Sequence, residues 1–86
     1  MLRMEKAPDG RTMVIRLIGD LDSEHIDELH AQMQSIDFPI ALDLDQVTLV
    51  DLEVVRFLAA RESAGVELRR CSPYIREWIE REQDKK

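Results

Sequence analysis

The sequence predicts a small α/β fold of order β-β-α-β-α-β-α. The expected sheet is mixed and four-stranded, with the helices mainly on one face. Three observations predict it. Short runs rich in β-branched and apolar residues alternate with longer stretches of 3.6-residue periodicity. Helix start and stop signals sit at the junctions between them. Within the strands, one face is apolar and the other mixed, whereas a sheet covered on both sides reads as unbroken apolar runs. Strands alternating with helices imply parallel pairing through right-handed crossovers, with the parallel strands in sequence order.

The elements follow in order. Met1 to Lys6 is expected as an edge strand, antiparallel to its neighbour. Ala7, Pro8, Asp9 and Gly10 read as the turn, because Pro presets φ and Gly tolerates positive φ. Thr12 to Ile18 has the composition of a strand. Gly19, Asp20, Leu21 and Asp22 read as a loop, and Asp22 or Ser23 as the cap of the first helix. Glu24, Asp27 and Glu28 then suit the positive end of the helix dipole. Ile26, Leu29, Met33 and Ile36 mark its apolar face, and the helix ends before Pro39.

Ile40 to Leu44 reads as the next strand and Asp45 to Asp51 as the loop after it. Asp51 is placed to cap a helix over Leu52 to Ser63, with Val55, Leu58 and Ala59 inward. Gly65 stands where a left-handed C-terminal cap is expected. Val66 to Arg70 is a short strand. Ser72 and Pro73 start the last helix, since Pro at the first helical position loses no needed hydrogen bond. Ile75, Trp78 and Ile79 form its apolar stripe, and Gln83 to Lys86 are expected to fray. Arg16, Asp43, Glu67 and Arg69 fall on the sheet face away from the helices. That face is expected to be open to solvent, a partner or a second copy.

Composition narrows the function. The chain has 86 residues, 44% hydrophobic and 35% charged, with a net charge of −6. This suits one domain spanning 1–86. The negative charge argues against duplex nucleic acid or an anionic membrane as partner. The lone Cys71 forms no internal disulfide, which fits a reducing, cytoplasmic setting. Met1 to Asp9 carry Arg3, Glu5 and Lys6 and no apolar run, unlike a secretory signal. No stretch approaches the roughly 18 apolar residues of a membrane span.

The search for chemistry is mostly negative. His25 and His30 are five apart on one helix and do not chelate one ion as an i, i+4 pair would. Cys71 has no nucleophile motif around it. No phosphate loop or dinucleotide fingerprint is present. Asp43, Asp45 and Asp51 lie near strand ends where carboxylates bind magnesium in some parallel α/β folds. Capping and turn roles account for them without a metal. Arg56, Arg61, Arg69, Arg70, Arg76 and Arg81 alternate with acids and read as a solvated face. No catalytic residue, cofactor or metal is expected.

The turn Gly19-Asp20-Leu21-Asp22, the run Leu42-Asp43-Leu44-Asp45-Gln46-Val47-Thr48-Leu49-Val50-Asp51, the Ala64-Gly65-Val66-Glu67-Leu68 junction and Ser72-Pro73 resemble, in this order and spacing, the anti-sigma-factor-antagonist (STAS) domain family. The resemblance runs from about Thr12 to Glu80. It implies a non-catalytic bacterial signalling module that docks on an anti-sigma factor or kinase-like partner to regulate transcription. In that family a serine or threonine follows the aspartate at the start of the second helix, and its phosphorylation releases the partner. Aligning on Asp51 puts Leu52 at the phosphorylated position and Glu53 and Val54 after it. No phosphorylation is expected there. The resemblance implies partner contacts at Thr48, Asp51, Leu52, Glu53 and Arg56. Leu52 is either an exposed contact or a core residue. An accessory subunit of an ABC-type transporter and a small-ligand or nucleotide sensor are the alternatives.

Overall fold

The computed structural model describes residues 2–37 and 39–84. Its strands are β1 (Leu2–Asp9), β2 (Thr12–Leu21), β3 (Ile40–Val50) and β4 (Glu67–Arg69), and its helices α1 (Ile26–Gln34), α2 (Leu52–Ser63) and α3 (Pro73–Asp84). A 3-10 turn over Ser23–His25 precedes α1. The sheet order is β1-β2-β3-β4, with β1 antiparallel and the other pairs parallel. The predicted mixed α/β architecture is therefore present.

One apolar core lies between the sheet and the helices. Ile15, Leu17 and Leu21 of β2 and Leu42 and Leu44 of β3 meet Leu29 and Met33 of α1, Val54, Val55, Leu58 and Ala59 of α2, and Ile75 and Ile79 of α3. Alternation along β2 and β3 puts these strand residues on a single face. Glu62 accepts both Arg76 guanidinium nitrogens at 2.7 and 2.8 Å, and the Gln83 amide at 2.9 Å, clamping α2 to α3.

Several boundaries differ from expectation. β1 runs to Asp9, so the hairpin turn is Gly10 and Arg11 rather than Ala7 to Gly10. β2 continues through Gly19 to Leu21, where a loop was expected, and β3 continues from Asp45 to Val50. The two extensions pair with each other, as Gly19 with Val47, Asp20 with Leu49 and Leu21 with Val50. Register shifts after Arg16 and after Gly19 each leave an extra residue in β3. Such bulges break the two-residue alternation and hide a strand from pattern reading. Gly19 supplies the φ of +109° that this irregular ladder requires. Asp22 caps the 3-10 turn, so the regular helix starts only at Ile26. α2 and its Asp51 cap fall where predicted, and Gly65 ends the helix with a φ of +107°. β4 is shorter than Val66 to Arg70. Phe38, Met1, Lys85 and Lys86 lie outside the described residues, so the expected fraying is described only as far as Asp84, which is still helical.

The sheet face away from the helices is not as open as predicted. Asp43 is only 3% exposed. Its carboxylate bonds to Arg70, and Arg16 lies 3.9 Å away. Arg69 reaches Asp9 at 2.8 Å and also bonds Glu67. Arg16 and Arg70 thus converge on Asp43 from this face. The six arginines first read as one solvated face instead serve separate contacts. Arg56, Arg69, Arg70, Arg76 and Arg81 form ion pairs, and Arg61 lies 5.9 Å over the Phe57 ring.

Candidate docking site at the start of the second helix

The predicted site residues sit where β3 hands over to α2. Asp51 has extended backbone and its Oδ1 accepts the Val54 N–H at 2.9 Å, satisfying one of the free donors of the helix start. Its Oδ2 accepts the Ser23 N–H, also at 2.9 Å, from the segment after β2. One carboxylate therefore caps α2 and joins the two chain segments of the site. These donors favour its charged form. The Val54 N–H holds the Asp51 carboxyl below its usual pKa of 3.8, against partial burial, and the Ser23 backbone adds to the effect.

Thr48 makes a second link. Its Oγ1 donates to Asp20 Oδ1 at 2.6 Å. Asp22 completes the frame: its side chain accepts the Glu24 N–H, while the His25 ring accepts the Asp22 N–H. The site is thus built on paired strands and capped turns. That is a stiffer support than the free loop expected over Asp45 to Asp51.

Leu52 lies at the first position of α2 and is 38% exposed, so it is a surface residue and not part of the core. Leu49, three residues earlier, is 63% exposed. Between them Val50 packs partly against the core. Asp20, Leu21, Asp22, Leu49, Val50 and Asp51 line a shallow groove of about 180 Å³. Glu53 is exposed beside Leu52. Arg56, one turn along, lies 3.8 Å from Glu53 and 3.2 Å from Glu82. Thr48, Asp51, Leu52 and Glu53 therefore come together at one end of the sheet, with Arg56 at the edge.

Leu49, Asp20 and Ser23 were not anticipated as site residues. Leu49 was hidden by the bulges that turn it outward. The run Val47-Thr48-Leu49-Val50, β-branched and apolar, was the available signal that β3 continues to the cap.

The carboxylates weighed as metal ligands have other partners. Asp43 meets Arg70 and Arg16, Asp45 lies 3.9 Å from Arg70, and Asp51 is the cap. Among the described residues no three His, Cys, Asp or Glu side chains are grouped to hold an ion. His25 belongs to the capping turn, and His30 packs edge-on against Phe57. Cys71 is half-buried against the core, and burial pushes its thiol pKa up. Among the described residues no helix is long and apolar enough to cross a membrane.

The family model described as "Mlab, STAS domain" matches residues 4–81. The chain belongs to the STAS domain family. Its fold is also that of a solved structure, reported as that of the anti-sigma factor antagonist SpoIIAA in its unphosphorylated form. The likeness has a TM-score of 0.67 at 22% identity, covering 93% of this chain and 82% of that one. No curated protein matches the sequence. In this STAS domain, the start of α2 reads Asp51-Leu52-Glu53-Val54, with no hydroxyl in it.

Proposed function

We propose that this STAS domain is a non-catalytic, cytoplasmic docking module that regulates a protein partner without a phosphorylation switch at the start of α2. The observation that carries this reading is the pair of exposed leucines, Leu49 and Leu52, flanking the doubly bonded Asp51. Apolar side chains held at a surface by a rigid frame are suited to protein contact. Leu52 supplies an anchor where a phosphoacceptor would otherwise stand. Glu53 and Arg56 border the contact, while Asp51 and Thr48 hold its shape. An anti-sigma factor or related kinase-like ATPase is the partner class proposed first, with control of transcription as the outcome.

A second reading makes the domain an accessory subunit of an ABC-type transporter. The missing hydroxyl favours it, because a permanent subunit needs a contact that is not switched. Ligand sensing at this groove is weaker, because its volume of about 180 Å³ falls below the ~300 Å³ at which small-molecule pockets usually begin.

Affinity capture with wild-type and Leu52→Asp baits side by side tests the proposal. A kinase-like ATPase retained by wild type and lost by the variant supports the first reading, and transporter subunits with the same dependence support the second. A partner held equally by both baits overturns the site.

A further inference from the structure

The charges of this chain are segregated in a way that bears on the docking surface. Residues 17–55 contain ten carboxylates and no lysine or arginine, whereas the rest of the chain has twelve cations and eight carboxylates. The acidic stretch includes both segments that frame the site. Part of it is neutralised locally, since Asp43 and Asp45 face Arg70. The rim is not. Among the described residues Asp20 bonds the neutral Thr48 hydroxyl, and Asp22 meets backbone N–H groups and His25, with no lysine or arginine paired to either. Glu24 forms no ion pair among the described residues, and Glu53 shares Arg56 with Glu82. Two exposed leucines are therefore bordered by carboxylates, with Arg56 the nearby cation.

We propose that the occupant of this surface is a segment of a protein partner that presents an apolar side chain flanked by lysines or arginines. This deepens the docking reading and rests on it. The apolar side chain lies between Leu49 and Leu52, and the flanking cations meet Asp20, Asp22, Glu24 and Glu53. Complementary charge of this kind speeds encounter and rejects acidic competitors more than it adds raw affinity. Binding is accordingly expected to weaken with salt.

The test is a selection of displayed random peptides on the purified chain, counter-selected on Leu52→Asp. Recovered peptides are then synthesised and titrated at low and high salt. The expected result is enrichment of lysine and arginine beside leucine or phenylalanine. The Glu24→Lys/Glu53→Lys double variant, which changes exposed side chains outside the core, should weaken binding about tenfold and flatten its salt dependence. Leu52-dependent peptides without excess lysine or arginine, or indifferent to the charge reversals, overturn this inference and leave the docking reading standing. Peptides that bind Leu52→Asp equally well, or no enrichment at all, overturn both. Sedimentation of the free chain supplies a last outcome: a dimer dispersed by Leu52→Asp makes a second copy the occupant and overturns the basic-segment proposal.

Discussion

The Asp51 carboxylate accepts the backbone N–H of Ser23 across 28 residues of chain, while its other oxygen caps α2. The same side chain thus fixes a helix start and its distance from the neighbouring turn. Asp51→Ala removes both bonds and leaves the Ser23 and Val54 donors without their acceptor. It should destabilise the chain by about 1–2 kcal/mol, the usual range for losing an N-cap, measured by urea denaturation. Asp51→Asn keeps one acceptor oxygen and should cost less. An Asp51→Asn variant as stable as wild type would show that the second bond contributes nothing.

Leu52 and Leu58 share α2 but differ in burial, since Leu52 is partly exposed and Leu58 is fully enclosed. Leu52→Asp puts a charge at a surface position near the positive helix end, so the melting temperature should change little. Leu58→Asp buries an unpaired carboxylate in the core and should abolish cooperative folding. Circular dichroism melts of the two variants check this. Unfolding of Leu52→Asp would return Leu52 to the core and remove it from the docking surface.

The contrast between these leucines shows how far the sequence is legible. Strand alternation and helix caps place Leu42, Leu44, Val55 and Leu58 in the core, and Asp51 at the start of α2, from local pattern alone. Leu49 escapes that logic. Its direction depends on two bulges between β2 and β3, which are properties of a pair of strands and leave no trace in either run read singly. Asp43 fails for a related reason. Alternation correctly puts it on the face away from the helices, but its burial comes from arginines, one of which, Arg70, lies beyond β4. The Ser23 contact is the same kind of long-range relation: a backbone donor carries no sequence signature.

Arg70 holds a left-handed backbone conformation, with φ of +53°, and its side chain pairs with buried Asp43. A non-glycine residue in this region carries strain. Arg70→Ala keeps the strain and removes the partner, so it should lower stability by leaving buried Asp43 with only the Asp45 N–H and the more distant Arg16. Arg70→Gly loses the same bond but relieves a left-handed conformation that costs a non-glycine residue about 1–2 kcal/mol, so it should recover part of that loss, less the extra freedom glycine has in the unfolded chain. Chemical denaturation of the pair separates the two effects. A glycine variant less stable than the alanine variant would mean that the strain there is smaller than the entropic cost of glycine.

Acid should loosen the α2–α3 clamp through Glu62. The paired Arg76 guanidinium holds its carboxyl below the usual 4.5, with burial opposing and Gln83 assisting. A carboxylate with a depressed folded-state pKa binds protons more readily when unfolded. Its stabilisation is therefore complete above the unfolded value and fades as pH falls through the folded one. Asp51 is lowered by its backbone donors. Asp43 is lowered because Arg70, the Asp45 N–H and Arg16 together outweigh its burial; both start from 3.8. Stability should thus be flat near neutrality and decline from about pH 4.5 downward. Glu62→Gln removes one contributor, so its melting temperature should be lower than wild type at pH 7 and should fall less steeply in acid. The measurement is melting temperature against pH for both proteins. Parallel curves through the acid range would place the linkage elsewhere than at Glu62.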